Sequence, residues 1–243
     1  MRTFRLGMLT PSSNTVLEPA TAALAAMVPA RVTVHYARFP VTKISDEADS
    51  HDQFSDEPML SAARLLADAR VDVITWNGTS GAWQGLERDR QLVERITTRT
   101  GIPATTATLT LVDLMRRSGI KRYGLVVPYA DSITAKIEEV LWREGFQCVA
   151  RSNDRITENF AFAEIDDATI AQRARSVAAG ADAVVIHCTN LRGAEVAATL
   201  ADELQVPVLD SVVVAFRGAL DTVGVEARLP GLTGVTETSA TAR

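Results

Sequence analysis

At 243 residues, 47% of them hydrophobic, the chain carries enough apolar material for a substantial core, as one large domain or two small lobes, and disorder is excluded as its main state. Charge is mixed, with 25 Lys and Arg against 30 Asp and Glu and no basic run long enough to follow a phosphate backbone, which argues against nucleic acid as a partner. Two cysteines without metal-ligand spacing and three scattered histidines argue against a disulfide framework and against metal catalysis.

The N-terminus enters a strand pattern almost at once, without a charged-then-apolar signal region. No apolar run approaches the roughly 20 residues of a membrane span, so a cytoplasmic protein with no membrane partner is expected. Short apolar runs then alternate with amphipathic segments of helix length, the pattern of a parallel α/β architecture. The spacing predicts strand Arg5–Thr10, helix Asn14–Met27, strand Val32–Arg38, helix Glu57–Ala69, strand Val71–Trp76 and helix Gly85–Thr100. Strand Ala104–Thr105, helix Ala107–Ser118, strand Tyr123–Val127, helix Ser132–Glu144 and strand Gln147–Arg151 follow. Helix Asp167–Ala179, strand Ala183–His187, helix Gly193–Gln205, strand Val208–Asp210 and helix Val212–Leu220 complete the order. Gly101 and Gly119 each follow a helical run and permit the positive φ that ends one.

These elements repeat. VDVITWNGTS (71–80) recurs as ADAVVIHCTN (181–190), pairing Asp72 with Asp182, Thr79 with Thr189, and Gly78 with Cys188. RLGMLTPSSN (5–14) matches RYGLVVPYAD (122–131) at Arg5/Arg122, Gly7/Gly124 and Pro11/Pro128. GIPATTATLTLVDLM (101–115) is similar to LQVPVLDSVVVAFRG (204–218), with Pro103 answering Pro207. Because the landmarks keep one order, two flavodoxin-like lobes with parallel sheets, related by a pseudo-twofold axis, are expected. The first lobe would span 1–118 and the second 119–211, with 212–243 returning to the first and its polar tail TETSATAR fraying. Ligands of open α/β sheets collect beyond the carboxyl ends of strands, where the candidate residues fall, in the cleft between the lobes.

The first candidate group is PSSNT (11–15), where Ser12, Ser13 and Asn14 follow a turn and precede a helix. Hydroxyls, an amide and exposed helix N–H groups can bind a carboxylate, and the same residues can equally form an ordinary helix cap. In NGTSG (77–81), Gly78 lets the backbone approach a ligand while Thr79 and Ser80 add hydroxyl donors, as in an oxyanion site; a plain capping turn is the alternative. Cys188 opens the counterpart loop CTNLRG (188–193) with Thr189 and Asn190 behind it. A helix N-terminus there is expected to lower the thiol pKa and make it a usable acid or base. Cys148 lies within a strand and is assigned to packing; alternation points His187 away from the site. Tyr129 follows Pro128 in the second-lobe equivalent of the PSSN turn, Asn159 lies in TENFAF (157–162) and could serve only its own turn, and Arg192 is either a solvated charge or a counterion to substrate. Phe39, Val41, Trp83 and Phe160 are the side chains expected to set pocket size.

With these residues assembled, the chain resembles the aspartate/glutamate racemase superfamily, in the branch of maleate cis-trans isomerases and arylmalonate decarboxylases. The resemblance covers nearly the whole length and rests on GMLTPSSNTVLEP (7–19), NGTSGAW (77–83), VVPYADSI (126–133), TENFAFAEI (157–165), VVIHCTNLRG (184–193) and VPVLDS (206–211). It implies an enzyme without a cofactor, a small mono- or dicarboxylate held between two lobes, and allows a homo-oligomer. Asn14, Tyr129 and Asn159 match the carboxylate-binding positions of the isomerases, Cys188 the second catalytic cysteine, and Thr79 and Ser80 the dioxyanion hole of the decarboxylases; Ser13, Gly78, Thr189 and Asn190 accompany them in the binding set. Gly78 stands where isomerases and racemases carry their first cysteine, as in the decarboxylases, whereas PSSNT and TENFAF are closer to the isomerases. One thiol suits decarboxylation of a malonate-type (aryl or alkyl) acid through an enediolate that Cys188 protonates. Isomerisation of a small unsaturated dicarboxylate is the alternative, and a silent carboxylate-binding protein the third reading.

Overall fold

The computed structural model describes residues 2–45 and 53–235. Two four-stranded sheets, all their pairings parallel, carry the chain. β1 (Phe4–Pro11), β2 (Val32–Phe39), β3 (Val73–Trp76) and β4 (Ala104–Thr106) form one, in the order β2-β1-β3-β4. β5 (Arg122–Val127), β6 (Gln147–Asn153), β7 (Ala183–Ile186) and β8 (Val208–Asp210) form the other, in the order β6-β5-β7-β8. This is an α/β fold of two flavodoxin-like halves. The central strands β3 and β7 are buried along their whole length, which explains apolar runs without alternation, since helices cover both faces of a parallel sheet.

The repeated residues make the same bonds in each half. The backbone N–H of Arg5 donates to Asp72 Oδ2 at 2.7 Å, and that of Arg122 to Asp182 Oδ2 at 2.8 Å. Ile74 N–H reaches the Pro103 carbonyl at 3.0 Å, and Val184 N–H the Pro207 carbonyl at 2.9 Å. Gly124 lies against a helix so closely that a Cβ there would sit 2.2 Å from the Val177 carbonyl oxygen; Gly7 lies against Val71 and Leu66, with a Cβ 3.0 Å from Val71. The halves therefore match in bonding as well as in strand order.

The helices are α1 (Leu17–Met27), α2 (Asp56–Asp68), α3 (Gly81–Gln84), α4 (Leu86–Thr100), α5 (Ala107–Arg117), α6 (Asp131–Arg143), α7 (Asp167–Val177), α8 (Gly193–Leu204) and α9 (Ser211–Thr222), with a 3₁₀ helix at Phe160–Glu164. Gly101 and Gly119 take φ of 71° and 69° after their helices, as expected. The helix expected from Asn14 begins only at Leu17, because Asn14 Oδ1 accepts from the N–H groups of Val16 and Leu17 and so caps it. The short α3 and the 3₁₀ helix were not expected; each has too few residues to show a 3.6-residue period.

Asp210 caps α9 by accepting from Val212 N–H and Val213 N–H. Residues 211–220 of this helix are all buried, an all-round burial that belongs to a central helix, and it packs on α5, α1, β3 and β4 as well as on β8 and α8. Beyond it the chain meets the second sheet again, where Val208 N–H donates to the Gly231 carbonyl at 2.8 Å. The tail 236–243, expected to fray, lies outside the described residues. No described helix is long and apolar enough to cross a membrane.

Candidate active site

Four strands of the two sheets end at one place. The loop after β3 runs Asn77–Ser80 into α3, and the loop after β7 runs from His187 to Arg192 into α8. Each is seated by a glycine against a buried carboxyl. A Cβ at Gly81 would lie 2.4 Å from Asp89 Oδ2, and a Cβ at Gly193 would lie 2.4 Å from Asp210 Oδ2. Burial pushes both carboxyls up to about 7. Asp89 accepts from Thr106 Oγ1, and this hydrogen bond offsets only part of that rise.

Between the loops is a cavity of about 20 Å³, room for one water. Its polar lining is Gly78, Thr79, Ser80, Tyr129, Asn159, Cys188 and Thr189; its apolar lining includes Val41, Ile44, Phe54, Trp76 and Trp83. No charged side chain lines it among the described residues, so a carboxylate there would be held by neutral donors. The aromatic wall is continuous: Phe54 meets Trp83 at 6.0 Å between centroids, Trp83 meets Tyr129 at 5.2 Å, and Tyr129 meets Phe162 at 5.5 Å. Larger clefts elsewhere hold none of the candidate residues.

Ser13, Asn14 and Asn190 surround this cavity as clasps between the halves. Asn14 Nδ2 donates to the Thr189 carbonyl at 3.0 Å and to Thr189 Oγ1 at 3.3 Å. Asn190 Oδ1 accepts from Thr15 N–H at 3.0 Å and Val16 N–H at 3.3 Å, while its Nδ2 donates to the Asn159 carbonyl at 2.6 Å. Asn159 Nδ2 in turn donates to Ser13 Oγ at 2.7 Å, and Ser13 Oγ donates to the Val41 carbonyl at 2.6 Å. Thr79 Oγ1 and the Tyr129 hydroxyl lie 3.0 Å apart. The ten candidate residues thus meet in one region. Asn14 makes the helix cap that was one of its two readings, its oxygen accepting from the first N–H groups of α1, while its amide crosses to the other half.

The expected lowering of the Cys188 pKa is overturned. The side chain is 2% exposed, and burial pushes the thiol up to about 12. The Tyr129 hydroxyl and the N–H groups of Asn190 and Leu191 favour the thiolate, Asn190 N–H from 3.4 Å, but they do not outweigh the loss of solvent. Tyr129 is itself fully buried and raised well above 10.0, so its proton stays in place.

Arg192 Nε pairs with Asp167 Oδ1 at 3.1 Å and its Nη2 donates to the Ile165 carbonyl, away from the cavity. Phe160 is 48% exposed and lines nothing in the site, because the 3₁₀ helix turns Phe162 inward instead. Phe39 packs behind the wall, 5.1 Å from Trp76. His187 is absent from the lining, and burial pushes it down to about 4, so it stays neutral. Cys148, half-buried in β6, is remote from the cavity lining. Sequence reasoning missed Ile44, Phe54 and Trp76 in the wall. Trp76 alone left a signal, an indole where the repeat has Ile186.

A family model described as arylmalonate decarboxylase matches residues 7–235. The maleate isomerase of Alcaligenes faecalis is 24% identical over 251 residues, covering 95% of this chain and 95% of its own. The arylmalonate decarboxylase of Bordetella bronchiseptica is 26% identical over 172 residues, covering 69% of this chain and 72% of its own. Among solved structures, the maleate isomerase Iso from Pseudomonas putida S16 superposes with a TM-score of 0.85 at 26% identity, over 97% of this chain and 98% of that one.

Proposed function

This chain belongs to the arylmalonate decarboxylase family and is an enzyme, and on that premise we propose that it decarboxylates a malonate-type dicarboxylic acid, aryl- or alkyl-substituted, with Cys188 as its one proton donor. The observation that carries the reading is the cavity lining, which contains a single thiol, with Gly78 at the position the repeat pairs with Cys188. A dicarboxylate is larger than the cavity, so the walls part to admit it.

One carboxylate is held by the Thr79 and Ser80 hydroxyls and the loop N–H groups. The other rests against Val41, Ile44, Phe54 and Trp83, where loss of solvent favours the neutral product CO₂ over a carboxylate anion. The bond from the α-carbon to the departing carboxylate breaks, and its electron pair remains as an enediolate on the retained carboxyl. Donors already in place stabilise that charge; each is worth about 3 kcal/mol in comparable oxyanion sites. Cys188 Sγ then transfers its proton to the α-carbon, and water restores the proton to sulfur. A thiol pushed up to about 12 is neutral at physiological pH and therefore loaded for this step, and the α-carbon of an enediolate is far more basic than a thiolate. The thiolate left behind is met by the Tyr129 hydroxyl and Asn190 N–H.

The second reading, cis-trans isomerisation of a small unsaturated dicarboxylate, is favoured by the match of the Alcaligenes maleate isomerase along 95% of the chain. It needs a nucleophile to add to the double bond, and Cys188 would have to supply it from a thiol that burial keeps neutral. Nothing supports a silent binding protein, since the matched relatives are enzymes.

Proton NMR in D₂O, with maleate and a set of aryl- and alkylmalonates supplied to the reduced enzyme, separates the two reactions. Deuterium is expected at the α-carbon of a monocarboxylate product, with Cys188→Ala slower by at least about a hundredfold. Maleate turning into fumarate while the malonates persist would sink the decarboxylase reading.

A further inference from the structure

Position 78 is glycine for a reason that lies in a neighbouring side chain. Its φ is outside the left-handed region, so the backbone does not require glycine. A Cβ there would lie 2.1 Å from Cζ2 of Trp76, 2.5 Å from Cη2 and 2.6 Å from Cε2, all inside the indole. The indole has little room to retreat: Trp76 is 1% exposed, with Phe39 packed 5.1 Å away. In the other half the equivalent pair is Ile186 and Cys188, where the smaller side chain at the strand end accompanies a thiol two residues on.

The same indole has a polar role. Its Nε1–H donates to Ser80 Oγ at 3.2 Å, occupying an acceptor site on that hydroxyl and leaving the hydroxyl proton to be given elsewhere. The Thr79 hydroxyl lies 3.0 Å from that of Tyr129, and either of the two can be the donor. Of the two hydroxyls of this loop that line the cavity, Ser80 is the one whose acceptor role the indole fills, which leaves its proton to be donated there.

We propose that Trp76 is a positioning and specificity-determining residue: its ring denies position 78 any side chain, and its N–H turns the Ser80 proton toward a substrate carboxylate. The second half rests on the reading of the β3 loop as the carboxylate site; the first half does not.

Two thermodynamic cycles test it. In the first, Gly78→Ala is introduced alone and in a Trp76→Leu background, and thermal unfolding is followed. Gly78→Ala alone is expected to lower Tm by at least about 3 °C, with most of that loss absent when Trp76 is Leu. An equal loss in both backgrounds overturns the steric half. In the second, phenylmalonate affinity is measured by calorimetry in a Cys188→Ala background, in which turnover is slowed. Ser80→Ala and Trp76→Phe are each expected to weaken Kd about tenfold, and the double variant no more than the stronger single. Independent, multiplying losses overturn the positioning half even if Trp76→Leu fails to fold. Absence of phenylmalonate binding to the Cys188→Ala parent overturns both the carboxylate reading and the positioning half, while the unfolding cycle still decides the steric half.

Discussion

Treated with iodoacetamide at pH 7.5, the native protein should label at Cys188 at least about a thousandfold more slowly than the unfolded chain. The magnitude comes from the thiol's surroundings: burial takes it from 9.0 to about 12, and the reacting species is the thiolate, whose fraction falls tenfold for each unit. Its 2% exposure slows the reagent's approach further. Cys148, also raised to about 12 by burial, is removed as a competitor by Cys148→Ser. Labelling is followed by mass spectrometry from pH 6 to 10, in buffer and in urea, and the native rate should still be climbing at pH 10. A native rate that levels off below about pH 8.5 would refute the reasoning. It would mean that the N–H groups at the start of α8 outweigh burial, and it would make nucleophilic addition by Cys188 chemically available.

Tyr129→Phe removes a buried hydroxyl placed 3.0 Å from Thr79 Oγ1 and one of the groups favouring the Cys188 thiolate. It should raise KM about tenfold and cost about 1 kcal/mol of stability in urea unfolding, and an unchanged KM would remove Tyr129 from carboxylate binding. Asp89 has its folded pKa raised to about 7, so the stability it contributes is fully present below its unfolded value near 4 and is lost as pH rises through 7. Asp89→Asn abolishes that titration, and its stability relative to the parent should improve by about 3 kcal/mol between pH 5 and pH 8. A difference independent of pH would show that the carboxyl is ionised throughout.

What could be read from the sequence was whatever leaves a period or a pairing. The strands are continuous apolar runs because helices cover them, and the repeat placed Gly78 with Cys188 without any coordinates. Burial of a polar group leaves no such trace. CTNLRG reads as an activated thiol at a helix start, and only the walls packed around Cys188 reverse that sign. Phe54 and Ile44 come from a stretch after β2 with no alternation to follow, yet they line the cavity. Phe160 and Phe162 sit two residues apart in one motif, and nothing in TENFAF says which of them a 3₁₀ turn will send inward.

Helix α9 also makes the order of synthesis differ from the order of assembly. β3 and β4 are synthesised before any strand of the second sheet has begun, yet the helix that packs on them is 211–222, the last regular element among the described residues. Until it arrives, the first half presents an uncovered apolar face, the condition under which a growing chain needs a chaperone. Once docked, it ties both sheets into one cooperative unit, so neither half can melt without exposing a face of the other.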